Sequence, residues 1–237
     1  MSTNAIAIIP ARGGSKRIPK KNIKDFFGKP LITYSIEIAI NSQLFEKVIV
    51  STDDKEIAEI AKKYGAEVPF MRPKELSDDF TATADVVNHA INYLENLGEE
   101  YEYICTIYAT APFLQTKYLT QGYEKLQSSD AINAFSSTSM PFPIQRTFKL
   151  DQNGRCQMFT PEYYMTRSQD LEEAYQDAGQ FYWTNRARQK KSKNRVIFSD
   201  ISIPIILPRH LVQDIDTPED WKRAEYMYEA IKRSQKS

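Results

Sequence analysis

The segment Arg12-Gly13-Gly14-Ser15-Lys16-Arg17 sets three cations, two glycines and a hydroxyl within six residues, and Lys20-Lys21-Asn22 adds two cations and an amide. Glycine lets backbone N–H groups turn inward and approach an anion closely. Arginine holds phosphate oxygens through a bidentate fork, and lysine acts on them as a point charge. The spacing matches neither G-x-x-x-x-G-K-[ST] nor G-x-G-x-x-G. The chemistry on offer is therefore phosphate binding by a loop of its own type. A solvated basic turn is the bland alternative, disfavoured because two adjacent glycines are costly in an idle loop. Near the other end, Asp214-Ile215-Asp216 places two carboxylates two residues apart. In extended backbone both point to one side, which suits a hard cation such as Mg²⁺. The competing role for Asp216 is to help Thr217 cap the last helix.

These groups need elements to position them. Ala5 to Ile9 is a short apolar run of buried-strand type, and the basic loop follows it directly. Pro30 to Ile40 has helix length. Lys47 to Ser51 reads as a strand, and Asp53-Asp54-Lys55-Glu56 as a helix start before Ile57, Ile60, Ala61 and Tyr64, with Gly65 as the stop. Ala66 to Val68 is a short strand. Val86, Val87, Ala90, Ile91, Leu94 and Leu97 form a helical stripe closed by Gly98. A strand over Tyr103 to Tyr108, a helix over Thr116 to Leu126 and a strand over Ala131 to Ser136 follow. This alternation predicts an α/β fold, a mostly parallel sheet with helices on both faces. Ligands then sit beyond the carboxyl ends of the strands, where the basic loop lies.

From about 140 to 190 the rhythm breaks. Pro141, Pro143 and Pro161 interrupt it, and Asp151-Gln152-Asn153-Gly154 is a hairpin signal. The stretch is read as an inserted arm within a single domain over 1–237. Arg186 to Lys193 is read as a solvated basic turn. Strands at Arg195 to Phe198 and Ile203 to Leu207 follow, then a helix with Thr217 as cap, Pro218 first, and Trp221, Ala224, Met227, Tyr228 and Ile231 inward.

Composition narrows the partners. The chain has 237 residues with 31 Lys+Arg and 31 Asp+Glu, so no global field calls for nucleic acid or an acidic membrane. Cys105 and Cys156 have no CxxC spacing and suggest neither a disulfide framework nor zinc; Cys105 reads as a reduced core thiol. No signal-peptide pattern and no apolar stretch near 18 residues is visible, so the cytoplasm is the expected location. His89 and His210 have no assigned role, so no histidine base is expected.

The run Ile9-Pro10-Ala11-Arg12-Gly13-Gly14-Ser15-Lys16-Arg17-Ile18-Pro19, followed by Lys21-Asn22, resembles the signature of the CMP-sialic-acid synthetase family of cytidylyltransferases. The segments Tyr108 to Phe113, Thr166 to Tyr175, Asp177 to Trp183 and Gln213 to Trp221 resemble the branch of that family acting on pseudaminic acid. The similarity runs from residue 5 to about residue 230. It implies a Rossmann-like sheet of the nucleotide-diphospho-sugar transferase type, with an inserted β-rich dimerisation arm and a homodimer. It also implies a reaction: CTP and a nine-carbon α-keto acid sugar give the CMP-sugar and pyrophosphate, with Mg²⁺.

Carried over by position, the resemblance puts Ala11, Arg12, Gly13, Gly14, Ser15 and Lys16 at the triphosphate. Lys21 and Asn22 fall near the phosphates and nucleoside, Arg72 beside the nucleotide, and Thr81 or Thr83 against cytosine. Thr110, Gln145, Arg167, Gln180 and Tyr182 face the sugar, and Asp214 and Asp216 hold the metal; Gln180, beside Phe181, Tyr182 and Trp183, reads equally as one satisfied amide in a core strand. Arg12, Lys16, Lys21, Asp214 and Asp216 are the residues expected to carry catalysis. Arg167 reads as a bidentate partner for the sugar carboxylate, against a surface pair with Asp170 or Glu172. Phe142, Ile144, Met158 and Phe159 are candidate dimer contacts, and the arm is a candidate to lend Arg167 or Gln180 to a partner's site.

Sialic-acid enzymes carry a Gln-Pro-Thr-Ser-Pro type segment where this chain has Tyr108-Ala109-Thr110-Ala111-Pro112. That departure favours a less hydroxylated, more apolar sugar. The alternatives are the same chemistry on sialic acid, legionaminic acid or a 3-deoxy-octulosonate, and a non-catalytic nucleotide-binding regulatory module.

Overall fold

In the computed structural model, which describes residues 4–234, strand β1 (Ala5–Pro10) is the hydrophobic axis of the molecule. Ala5 to Ile9 are fully buried because both faces of the strand are covered. Ile6 and Ile8 pack with Ile49, Ile104 and helix residues Ala90, Ile91 and Leu94. Ala5, Ala7 and Ile9 face the larger cluster on the other side. A continuous apolar run is what such a doubly covered strand requires.

A two-residue hairpin, β2 (Asp25–Phe26) and β3 (Lys29–Pro30), leads into α1 (Ile32–Asn41), then β4 (Lys47–Ser51) and α2 (Lys55–Lys63). Asp54 caps α2, accepting from Glu56 N–H at 2.7 Å and Ile57 N–H at 3.1 Å. Gly65 ends it with φ of 93°, a left-handed conformation open to glycine. Helix α3 (Thr83–Asn96), β5 (Tyr103–Ile107), α4 (Thr116–Gln127) and β6 (Asn133–Ser139) complete the alternating part.

The sheet order is β10-β6-β9-β5-β1-β4, with β9 (Tyr175–Asn185) and β10 (Ser202–Ile206) contributed by the later chain. The pairs β1–β4, β1–β5 and β6–β10 are parallel, while β9 runs antiparallel between β5 and β6. The sheet is thus mostly parallel with helices on both faces, as expected. Trp183 on β9 is fully buried, and a Cβ on Gly122 of α4 would stand 2.8 Å from its ring, so glycine there lets helix and strand close. The last helix, α6 (Pro218–Ser234), buries Trp221 and Ala224, with Met227, Tyr228 and Ile231 partly covered.

Four expectations change. Residues 175–185 belong to the central sheet, so the excursion away from it covers about 140–174 and not 140–190. It holds the hairpin β7 (Phe148–Leu150) and β8 (Cys156–Met158), turned at Asp151 to Gly154. Arg195 to Phe198 forms no strand. Ala66 to Val68 makes only a bridge between Glu67 and Ile49. Arg186 to Lys193 is not a solvated turn: Arg186–Lys191 is a helix, α5, capped by Asn185, with Arg186 on Glu95 and Arg188 donating to the carbonyls of Leu126 and Ala131. Side chains long enough to reach back to the body override the local signal of a charge run.

Cys105 is buried and Cys156 exposed, and both are free thiols. No helix among the described residues is long and apolar enough to cross a membrane.

Candidate active site

The basic loop leaves β1 at the carboxyl edge of the sheet, where Ala11 N–H donates to Ser51 O at 2.9 Å and ties it to β4. The Ala11 side chain is buried, so this residue offers a ligand its carbonyl at most. Beyond it, Arg12, Ser15, Lys16, Arg17, Lys21 and Asn22 line one cavity of about 370 Å³ together with Asp79 and Asp216. Asn22 Nδ2 donates to Arg12 O at 2.9 Å and braces the loop from within. Gly13 turns its N–H away from this cavity, to Asp53 at 3.0 Å. Gly14 has open space where a Cβ would stand.

Every cation lining this cavity has a carboxylate partner. Arg12 donates to Asp79 at 2.7 Å, and Lys16 binds the other oxygen of the same carboxylate. Those bonds hold the Asp79 carboxyl below the usual carboxylate range. Arg17 donates to Asp216 at 2.8 Å, and Lys21 to Asp216 at 3.2 Å and to Ile215 O at 2.6 Å. Desolvation opposes ionisation of Asp216, but the Lys21 bond and the charges of Lys21 and Arg17 outweigh it and keep the pKa low. Asp214 moves the other way: desolvation first, then the charge of Asp216, push its carboxyl up. Asp216 lines this polyphosphate-sized cavity, and Asp214, two residues before it, lines none of the three; one or two carboxylates are a donor set that suits Mg²⁺, which completes its shell with phosphate and water oxygens. Among the described residues no cluster of three or more His, Cys, Asp or Glu side chains forms a self-sufficient cage.

A second cavity, about 280 Å³, shares Arg12, Lys21, Asn22 and Asp79 with the first and adds Arg72, Thr81, Thr83 and Thr110. Arg72 is almost wholly buried, which presses its pKa down against the pull of Asp53. Thr81 donates to Asp78 at 2.6 Å. Thr83, the first residue of α3, opens onto this cavity and the next.

The third cavity, about 360 Å³, meets the second at Thr83 and Tyr108. It lies over the face of β5, β9 and β6 that α3 only half covers. Val87, Ile91, Ile104, Ile197, Phe198 and Ile201 make its apolar walls, and Asn88, Asn133, Asp177 and Tyr182 its polar ones. Tyr182 OH donates to Asp177 at 2.5 Å, and Gly179 N–H fixes that carboxylate at 2.9 Å. Burial, then Tyr108 and Asp177, push the Tyr182 hydroxyl far up, so it stays a donor.

Not every expected residue comes to these cavities. Gln180 lies inside β9 with Nε2 on Leu211 O and Oε1 without a partner, so it serves the core within one chain. Gln145 sits in the arm and donates to Glu172 O at 3.1 Å. Arg167 is exposed on the arm, paired with Asp170 at 2.6 and 3.2 Å, which is the surface pair weighed above. Sequence reasoning missed Asp53, Asp79, Asp177 and the Ile197–Phe198 wall. Asp53 had a local signal, as an acid just past β4 at the ligand edge, and Asp177 opens one of the segments quoted above.

The chain matches the family model described as Cytidylyltransferase over residues 6–233. It is 49% identical over 224 residues to pseudaminic acid cytidylyltransferase of Campylobacter jejuni subsp. jejuni serotype O:2, covering 94% of this chain and 95% of that one. It is 30% identical to N-acylneuraminate cytidylyltransferase of Escherichia coli O18:K1:H7, covering 94% of this chain and 52% of that one. Among solved structures, CMP:2-keto-3-deoxy-manno-octonic acid synthetase complexed with CTP aligns with a TM-score of 0.67 at 15% identity, covering 95% of this chain and 98% of that one, which supports the fold.

Proposed function

The chain belongs to the cytidylyltransferase family, and we propose that it transfers CMP from CTP to the anomeric hydroxyl of pseudaminic acid, releasing pyrophosphate. The observation that carries this reading is the continuity of three cavities: a cationic one, a middle one and a half-apolar one, joined through Arg12, Lys21, Thr83 and Tyr108.

The cationic cavity suits the β- and γ-phosphates. Arg12, Lys16 and Lys21 would exchange their internal carboxylates for phosphate oxygens, and the loop would stabilise the charge that grows on the leaving pyrophosphate. The middle cavity suits the nucleoside, with Arg72, Thr81 and Thr83 as its polar contacts. The third suits the acceptor. Its aliphatic and aromatic walls fit acyl methyls and deoxygenated carbons, while the Asn88 and Asn133 amides provide hydrogen bonds for acyl carbonyls and Tyr182 OH, whose proton goes to Asp177, accepts from a sugar hydroxyl or amide. Tyr108, at the shared wall, adds apolar surface where a sugar richer in hydroxyls would want an amide. The reaction is then an in-line attack on the α-phosphorus, helped mainly by positioning and by fixed charge.

Asp214 and Asp216 would hold Mg²⁺, which neutralises phosphate charge and favours ionisation of the attacking hydroxyl. The exposed apolar arm, with Phe142, Ile144 and Phe159 open to solvent, would dimerise the protein and carry Gln145 and Arg167 towards a second copy's acceptor cavity. The cytoplasm is the compartment that supplies CTP.

Asp216→Ala separates an enzyme from a nucleotide-binding regulator. It should retain most metal-free CTP affinity and lose turnover; unchanged turnover would remove the carboxylate pair from the reaction.

A further inference from the structure

Asp53 stands at the carboxyl end of β4, one strand over from the basic loop. Its Oδ1 accepts from Gly13 N–H at 3.0 Å and lies 3.4 Å from Arg72 NH2. These two partners belong to different ends of the nucleotide cavities: Gly13 to the phosphate loop, and Arg72 to the side with Thr81 and Thr83.

Arg72 is held from several sides. Its N–H donates to Thr52 O at 2.8 Å, its side chain is 3% exposed, and its Nε is buried without a partner. A guanidinium this deep needs a counter-charge. Asp53 provides it at a distance longer than a good charge-assisted bond, so Arg72 keeps donor capacity for a ligand. The loop is tight against the same segment: a Cβ on Gly13 would stand 2.6 Å from Asp54 Oδ2.

We infer that Asp53 is a positioning residue for cytidylyl transfer. One carboxylate oxygen ties the Gly13 amide to the Arg72 guanidinium, so that the phosphate end and the base end of CTP are gripped at a set separation. This rests on the CTP reading above. Asp53 need not touch substrate; it lowers the ordering cost of binding by holding both grips in place beforehand.

Two variants test it. Asp53→Asn keeps an oxygen for Gly13 and removes the charge facing Arg72; Asp53→Ala removes both. KM for CTP, kcat, melting temperature and inhibition by inorganic tripolyphosphate are measured, the last being a probe that needs the loop but not Arg72. The asparagine variant should raise KM for CTP about tenfold, with kcat and tripolyphosphate inhibition within about threefold of wild type. The alanine variant should weaken tripolyphosphate about tenfold as well. Should the alanine variant fail to fold, the asparagine variant decides alone. An unchanged KM for CTP in the asparagine variant, with or without a lower melting temperature, overturns the inference. Equal loss of CTP and tripolyphosphate in that variant overturns it too. If the wild-type protein releases no pyrophosphate from CTP with any acceptor, the parent reading has failed first, and this inference with it.

Discussion

The Arg12 guanidinium donates to the Asp79 carboxylate at 2.7 Å, and the same carboxylate also holds Lys16. An internal anion thus occupies the place between two cations that the proposed reading gives to a triphosphate. Asp79 is part of the turn that Asp78 organises by accepting from Phe80 N–H at 2.9 Å and Thr81 N–H at 2.7 Å. Nucleotide binding then begins with an exchange of anions.

Asp79→Asn removes the competing charge. It should tighten CTP binding by a few-fold at low ionic strength, with the advantage shrinking as salt screens the exposed pair. Calorimetric titration at two salt concentrations reads this, and weaker binding by the variant would make Asp79 a ligand partner instead of a competitor.

Gly13→Ala places a Cβ 2.6 Å from Asp54 Oδ2 and 2.8 Å from Asp54 Cβ. Asp54 cannot swing aside without releasing its cap on α2, so the loop must move. Overpacking of this kind costs about 1–3 kcal/mol, and the dissociation constant for CTP should rise about tenfold or more. A variant that binds CTP like wild type would show that the loop is not rigid there.

Tyr182→Phe deletes the hydroxyl that donates to Asp177 at 2.5 Å in the acceptor cavity, away from the loop. KM for the sugar should rise about three- to tenfold, the scale of one hydrogen bond, with KM for CTP unchanged. A change in KM for CTP alone would assign the third cavity to the nucleotide.

Glu95 joins α3 to α5 through Arg186 at 3.2 Å and Lys190 at 3.0 Å. Burial opposes its charge, but the two cations prevail and hold its carboxyl below the ordinary value. A depressed carboxylate contributes stability that is fully present above the unfolded value of about 4.3 and is lost as pH falls through the lower folded one. Glu95→Gln should therefore cost at most about 1 kcal/mol near neutrality and flatten the acid side of a plot of melting temperature against pH. Parallel curves for wild type and variant would rule out this coupling.

What the sequence made legible follows from how local each signal is. The buried run of β1, the cap at Asp54, the stop at Gly65 and the inward stripe of α6 are each set by neighbours a few residues apart, and each stands where its residues indicate. Phe181, Tyr182 and Trp183 mark β9 as strand-like, but its place between β5 and β6 is set by partners distant in sequence and leaves no local sign that the arm ends before it. The site divides in the same way. The Arg12 to Arg17 loop could be read directly, whereas the Arg12–Asp79 pair spans 67 positions and the Gly13–Asp53 bond 40. Arg167, whose guanidinium suits a sugar carboxylate and a surface pair alike, meets Asp170 three positions on.

The most direct measurement presents the protein with CTP and Mg²⁺ and, in separate reactions, with pseudaminic acid, sialic acid, legionaminic acid and a 3-deoxy-octulosonate, following pyrophosphate release and identifying the CMP-linked product by mass. Turnover with pseudaminic acid should stand well above that with the others. Turnover confined to sialic acid would contradict the assignment of the apolar cavity, and pyrophosphate release with none of them would contradict the transfer reaction itself.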